Sequence, residues 1–379
     1  MPNSTDPDIT NTLTDLLSHL IQMPTVTGEN ATNRAALDWV EEQLRDLPLN
    51  IQRYERAGFP SLVATTTGTA NPKNPKLWLV GHIDVVPGPT KTFTPRLADG
   101  RIYGRGVHDM KFAVACYIAL LQGFGASLKQ YDLGLMLTSD EEFGGFNGVK
   151  WLLNDQDYRG SAAIIPDSGG SWQMEIGSKG IMWWDLTASG QTAHASRPWE
   201  GTNAIDEIYH FVDQIKAHFP SEPCGDDTHN HPTVNLATIS GGAATNQVPA
   251  SAKASIDIRL TTDVSLAEAA SWFEAATSAY PSITATAREA EPPYLVKNNG
   301  PVHAFRDIVR EVTGHDVTTA TSHGSSDARH FAVHNISTIN VVPTGSGFHV
   351  PDEWVDIIDL ARFYEILRRF TINWSSNHK

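Results

Sequence analysis

Cysteine is nearly absent from this chain: Cys116 and Cys224 are the only two in 379 residues. Two thiols build no disulfide framework, and neither has a partner at metal-ligand spacing, so both read as small apolar side chains. Basic residues are also scarce, with 28 Lys and Arg against 43 Asp and Glu and a formal charge of −15. Affinity for nucleic acid comes from cations neutralising phosphates, and no local basic stripe offsets the average, so no nucleic-acid partner is expected. No apolar run approaches the roughly 18 residues of a membrane span. The opening MPNSTDPDITNTL lacks the basic and apolar regions of a secretory signal. These absences set the expectation of a soluble, cytoplasmic protein with no membrane partner. Three catalytic signatures are missing too: the phosphate-loop lysine pattern, a Gly-x-Ser-x-Gly elbow and a His-Glu-x-x-His helix.

Apolar residues make up 40% and charged residues 19%, the balance of a folded enzyme rather than of a disordered tail or a fibre. At roughly 100–200 residues per domain, the length predicts two domains. Helical spacing of apolar positions predicts amphipathic helices from Asp8 to Met23 and over 31–47. Apolar runs predict buried strands at Leu62–Thr66, Leu77–Val80, Leu133–Leu137 and Ala162–Ile165. Helices at Phe112–Phe124 and Val149–Leu153 separate several of them, an alternation that predicts an α/β layer with a largely buried sheet. The pattern changes near Gly177. Strand Ile181–Ala188, helix Ala204–Phe219, strands Thr233–Ile239 and Ala252–Leu260, helix Leu266–Ala279 and strand Ile283–Arg288 follow in turn. That order is β-α-β-β-α-β, the split ferredoxin-like arrangement. After Pro292 the first style resumes, with a helix at Val302–Thr313 and a strand at Thr338–Val342. The reading is a discontinuous α/β domain, residues 1–177 and 292–379, with a smaller α+β domain, residues 178–291, inserted into it.

The chemistry collects where apolar strands end, which is where open α/β sheets bind ligands. Leu77–Val80 runs into Gly81-His82-Ile83-Asp84, and Leu133–Leu137 into Ser139-Asp140-Glu141-Glu142. Ala162–Ile165 runs into Pro166-Asp167-Ser168, and His349 follows the strand at Thr338–Val342. Between them, His108-Asp109 opens the Phe112 helix. Imidazoles and carboxylates are the ligands of a catalytic zinc, and an aspartate can bridge two ions. His82-x-Asp84 puts both side chains on one face of a strand end, so Asp84 suits the carboxylate that fixes a ligating histidine's second nitrogen. Adjacent Glu141 and Glu142 point to opposite sides, leaving one for metal and one for proton transfer. Each piece alone also fits an ordinary loop hydrogen bond, a solvated turn or, for Asp109, a helix N-cap. Their succession on strand ends is what points to one site.

The motifs GHIDVVP, DGRIYGRGVHDMK, TSDEEFGG, GQTAHASRPWEGTNAI and GFHVPDE resemble those of the co-catalytic dizinc hydrolases. That family includes aminoacylases, glutamate carboxypeptidase, acetylornithine deacetylase, succinyl-diaminopimelate desuccinylase and related dipeptidases. The resemblance spans roughly residues 10–370. It implies two Zn2+ per subunit, with Co2+ or Mn2+ as substitutes, and a catalytic domain carrying an inserted dimerisation domain. His82, Asp109 and Asp167 would bind one ion; Asp109, Glu142 and His349 would bind the other, with Asp109 bridging. Glu141 would be the general base that takes a proton from a zinc-bound water and hands it to the leaving amine, and Asp84 would orient His82. The inserted domain would make a homodimer and carry His194 into the neighbouring active site as an oxyanion donor. Asn246 and Arg259 match substrate contacts, a guanidinium suiting a substrate carboxylate. Gly324 and Ser325 resemble a substrate-binding loop, although a plain turn fits them as well. His194 also reads as a loop histidine and Arg259 as an edge-strand ion pair.

The implied activity is hydrolysis of an amide bond in a small molecule, either an N-acyl amino acid or a short peptide with a free carboxylate. Three departures bear on it. Asp167 stands where the desuccinylase and acetylornithine branches usually carry glutamate and dipeptidase and aminopeptidase-like branches tend to carry aspartate, which counts against a desuccinylase; a dipeptidase or carboxypeptidase is the alternative to a deacylase. His108 and His323 replace residues that are commonly small, and each is a candidate to touch substrate or, for His108, to turn outward. A catalytically silent binding homologue and a single-metal hydrolase remain as rivals; retention of all five ligands and Glu141 counts against the first.

Overall fold

The computed structural model describes residues 7–167, 170–219, 231–296, 300–322 and 324–376. Cys224, Ser168 and His323 lie outside the described residues. The described chain divides into two units, one of residues 1–176, 296–320 and 326–379, the other of 177–295 and 321–325.

The first unit is built on a six-stranded sheet. Its order is Leu49–Arg56, Phe59–Thr66, Leu133–Thr138, Leu77–His82, Ala162–Ile164, Ser337–Ile339. The last four run parallel, and the first two add as an antiparallel hairpin. Leu77–His82 and Leu133–Thr138 are buried at every position, which is what a strand covered on both faces requires and why both read as solid apolar runs. Leu77–His82 lies between the next two strands of this sheet, Leu133–Thr138 and Ala162–Ile164, so successive connections diverge to either side at its carboxyl end. That is the switch point where such sheets bind ligands.

The helix Phe112–Phe124 crosses this unit, in contact with helices Pro7–Gln22, Asn30–Leu44 and Ile357–Ser375. All its residues from Phe112 to Leu121 are buried, Cys116 among them. It lies within Val107–Gln130, a stretch long and apolar enough by length and composition to cross a membrane, whose most apolar 18-residue window has mean hydropathy 1.4. This corrects the expectation that no stretch approaches that length; 67% of its most apolar window is buried within the fold, so apolarity here serves a core. Several elements had no counterpart in the sequence reading, among them the edge strand Leu49–Arg56, the strand Met174–Ser178, the short helix Ala328–Val333 and the C-terminal helix Ile357–Ser375.

A small sheet positions two loops of the site. Its strands are Gly345–Ser346, Trp354–Asp356, Arg101–Tyr103 and Arg96–Ala98, in that order. Trp354 pairs with Tyr103 and Val355 with Ile102. The chain leaving Tyr103 toward Asp109 therefore starts beside the loop that carries His349.

In the second unit, all four strands are antiparallel, in the order Thr233–Gly241, Ser251–Leu260, Gly180–Ser189, Ile283–Glu291. Met182, Trp184, Leu186 and Ala188 alternate inward, as period-two patterning demands. They meet apolar residues of helices Ala204–Lys216 and Leu266–Ala279, with Trp184 stacked on Phe273 at 4.0 Å. This is the ferredoxin-like α+β arrangement, and the whole is the α/β fold with an inserted domain that the sequence pattern predicts.

Candidate metal centre

His82 is the last residue of its strand, buried, with its ring held from one side. Nδ1 lies 3.0 Å from the Asp84 carbonyl oxygen and 3.5 Å from Asp84 Oδ1. A proton on Nδ1 satisfies that carbonyl and leaves Nε2 as a bare lone pair. Nε2 is buried without a hydrogen-bond partner; Asp109 Oδ1 stands 3.2 Å from it and Glu141 Oε2 3.9 Å. The other Asp109 oxygen, Oδ2, lies 3.1 Å from His349 Nε2, which is also 3.1 Å from Glu142 Oε2. One carboxylate thus faces two imidazoles, one through each oxygen. Two groups of possible ligands result: His82, Glu141 and Asp167, and Asp109, Glu142 and His349.

The Asp84 carboxylate does more than face a ring. Oδ1 accepts from the Glu141 N–H and Oδ2 from the Glu142 N–H, both at 3.3 Å, and Thr27 Oγ1 donates to Oδ2 at 2.9 Å. It thereby ties the turn Glu141–Phe143 to the end of the neighbouring strand. The far side of that turn is held by Arg329 and His330, which reach the Gly144 carbonyl at 2.6 and 3.0 Å. Gly145 follows at φ +65°, where a Cβ would fall 2.0 Å from Asp327 Oδ1, so this close approach needs glycine. Asp167 is fixed through its backbone: its N–H donates to Asn340 Oδ1 at 2.9 Å, and Asn340 Nδ2 donates to its carbonyl at 2.8 Å.

The electrostatics are those of a cation site. Burial pushes Glu141 and Asp167 well above the usual carboxylate range, with further push from neighbouring carboxylates. Burial also raises Glu142. Asp109 goes the other way: burial is outweighed by its hydrogen bond to His349 and by the His82 imidazole beside it, and it is held well below that range. His349 is raised to about 10 by its bonds to Asp109 and Glu142. His82 is raised as well, its carboxylate partners overcoming burial. Four crowded carboxylates need positive charge, which protons on the imidazoles supply when no metal does. The donor set, the orphaned Nε2 and the shared Asp109 fit a pair of divalent cations.

The remaining expected residues stand in the second unit. His194 is exposed, and its Nδ1 accepts from the Ser196 N–H at 3.2 Å with Ser196 Oγ at 2.8 Å. That bond places the neutral ring's proton on Nε2, a free donor. A bridge between His194 and Gln247, with Ala195 N–H donating to the Asn246 carbonyl at 3.0 Å, sets Asn246 beside it. Arg259 is gripped by Asp257, Nε to Oδ1 at 2.8 Å and Nη2 to Oδ2 at 3.0 Å, and Trp183 Nε1 donates to the same Asp257 at 2.8 Å. Gly324 is exposed and Ser325 half-buried. His108 neither turns outward nor lies open: it is wholly buried between Phe112 and Phe348, with Nε2 on the Pro343 carbonyl. Thr27, Arg105, Asn340, Arg329 and Glu353 were not among the expected site residues; Arg105, inside DGRIYGRGVHDMK, and Glu353, inside GFHVPDE, sit in motifs that could have pointed to them.

Fold and donor set together define a metal-dependent hydrolase. Residues 78–373, well over half of the chain, match the Peptidase family M20/M25/M40, and the chain belongs to that family. A succinyl-diaminopimelate desuccinylase of Methylorubrum populi is 30% identical, the alignment covering 93% of this chain and 96% of that one. A desuccinylase of Dechloromonas aromatica is 27% identical over 95% and 98%. Among solved structures, a tripeptidase of Staphylococcus aureus superposes with a TM-score of 0.76 at 22% identity, covering 96% and 98%. An M20 metallo-carboxypeptidase of Sulfolobus solfataricus gives 0.77 at 16% identity, covering 97% and 98%; these two likenesses speak for the fold. The protein is a metal-dependent hydrolase of amide bonds.

Proposed function

We propose that the chain removes the acyl group from an N-acyl amino acid that bears a free carboxylate, using two zinc ions. The observation that carries the reading is Asp109, whose two oxygens face His82 Nε2 at 3.2 Å and His349 Nε2 at 3.1 Å. His82, Asp109 and Asp167 would hold one ion; Asp109, Glu142 and His349 would hold the other. Ions bound there supply Lewis acidity, polarising the scissile carbonyl and acidifying water near neutral pH. Glu141 lies within the group of His82 and Asp167 and is raised by burial and by Asp167, which suits a base that takes a proton from the attacking water and returns it to the leaving amine. Asp84 keeps the His82 ring and the Glu141 turn in register. His194 presents Nε2–H as the donor to the developing oxyanion. Arg259, prealigned by Asp257, receives the substrate carboxylate, with Asn246, Gly324 and Ser325 as further contacts.

The names of the relatives at 27–30% identity favour a succinyl or similar acyl group. Asp167, in the place where those branches usually carry glutamate, favours the dipeptidase reading. A paired panel decides: free-amine dipeptides against N-succinyl and N-acetyl amino acids with matching side chains, assayed with zinc-loaded protein. Cleavage of the N-acyl compounds is expected, and cleavage confined to dipeptides would replace this reading with the second. The inserted domain is proposed as the dimer interface. Its strand Thr233–Gly241 is an edge, paired with Ser251–Leu260 on one side, and it exposes residues along most of its length.

A further inference from the structure

Glu353 lies four residues beyond His349, and its carboxylate is wholly buried. The loop leading to Asp109 closes around it. Oε1 accepts from the backbone N–H of His108 at 2.8 Å and of Asp109 at 3.0 Å. Oε2 accepts from the Gly106 N–H at 2.9 Å and from Arg105 Nη1 at 3.2 Å. Arg105, also buried, passes the grip onward: Nη2 donates to the His349 carbonyl at 3.2 Å and Nη1 to the Val350 carbonyl at 3.4 Å.

A buried carboxylate–guanidinium pair is an inefficient way to add stability, because both charges lose their hydration. Its value lies in what it joins. One loop carries Asp109, the other His349, and the two side chains meet at 3.1 Å. His349 sits at φ +62°, a conformation that costs a non-glycine residue energy and persists only under restraint; the Arg105 bond to its carbonyl is such a restraint. Gly106, at φ +77°, leaves no room for a side chain, since a Cβ would lie 2.5 Å from Val85 Cγ1. The backbone turn that aims its N–H at Glu353 is therefore built in.

We infer that Arg105 and Glu353 are positioning residues with divided duties. Glu353 fixes Asp109, which faces both candidate metal positions. Arg105 fixes His349, which faces one. The inference rests on the two-metal reading above.

The test is calorimetric titration of the metal-free full chain with zinc, circular dichroism and the thermal midpoint serving as fold controls. Wild type binds two ions; fewer would overturn the two-metal reading and this inference with it. Arg105→Met weakens one of the two steps about 10–100-fold, the usual effect of removing a residue that orients a ligand, and leaves the other unchanged. Glu353→Gln weakens both, because an amide turns a donor toward backbone N–H groups. In a His349→Ala background, Arg105→Met has no further effect on zinc binding. If Arg105→Met fails to fold, Arg105→Lys replaces it: the charge beside Glu353 stays and the planar fork is lost, so the same step weakens. With two ions bound by wild type, unchanged binding in the Arg105 variants, equal weakening of both steps, or an effect that persists without His349 would each overturn the inference alone.

Discussion

Glu141 and Glu142 are neighbours in sequence with different company in space. Glu142 meets His349 through Oε2 and accepts the Val86 N–H through Oε1. Glu141 faces His82 and Asp167, which groups it with possible ligands as well as with the base it is proposed to be. Removal separates the roles. Glu141→Ala is expected to lower kcat by at least about 10²–10⁴, the range of general acid–base catalysis, with metal content by elemental analysis unchanged; metal lost along with activity would make Glu141 a ligand. For His194→Ala the expected fall is roughly 10²–10³, the worth of one oxyanion donor, read as kcat on the best panel substrate. An unchanged rate returns it to an ordinary loop histidine. At this scale the sequence displays residue types and their order, so His82, Asp109 and Glu141-Glu142 stand out. It does not display that the carbonyl of Asp84 lies nearer the His82 ring than its carboxylate.

The C-terminal helix shows how an element goes unread. Asp356 caps it, accepting from the N–H groups of Ile358 and Asp359, and Leu360, Phe363, Ile366, Leu367 and Phe370 face the core. Cap and apolar spacing are both present in the sequence. Edge strand Leu49–Arg56 is different, since its exposed charged positions give no solid apolar run. Asp359 anchors the helix, accepting from Trp172 Nε1 at 2.8 Å, from Arg362 at 2.7 Å and from Thr344. Burial alone would raise its pKa, but these bonds outweigh it and leave Asp359 below the ordinary carboxylate value. A depressed folded value means stability that is present above the unfolded pKa of about 3.9 and lost as pH falls through the folded one. Asp359→Ala is therefore expected to cost roughly 1–3 kcal/mol at neutral pH, with the deficit shrinking in urea titrations as the pH falls below the unfolded value of about 3.9. A deficit independent of pH would mean that packing, not charge, is what Asp359 contributes.

Crowded carboxylates make the whole molecule depend on its ions. Chelation is expected to lower the thermal midpoint by several degrees, and added zinc to restore it, since a ligand held at 100 times its Kd adds about 2.7 kcal/mol. An unchanged midpoint on full metal removal, checked by elemental analysis, would count against a tightly held pair. If His194 serves the neighbouring subunit, mixed Glu141→Ala and His194→Ala subunits recover activity that neither has alone, because one of the two sites in each heterodimer is then intact. No recovery after subunit exchange would place His194 in its own subunit's site.

Binary patterning and ligand types at strand ends are local properties, so sequence alone determined the α/β layer, the inserted β-α-β-β-α-β domain and the histidines and carboxylates of the centre. Which oxygen faces which ring was decided only by tertiary structure. Asp109 and His349 are 240 positions apart, brought together by a small sheet and by the buried Arg105–Glu353 pair. Nothing in either segment alone specifies that meeting, because its geometry is set by hydrogen bonds between loops that exist only once both have packed against the sheet.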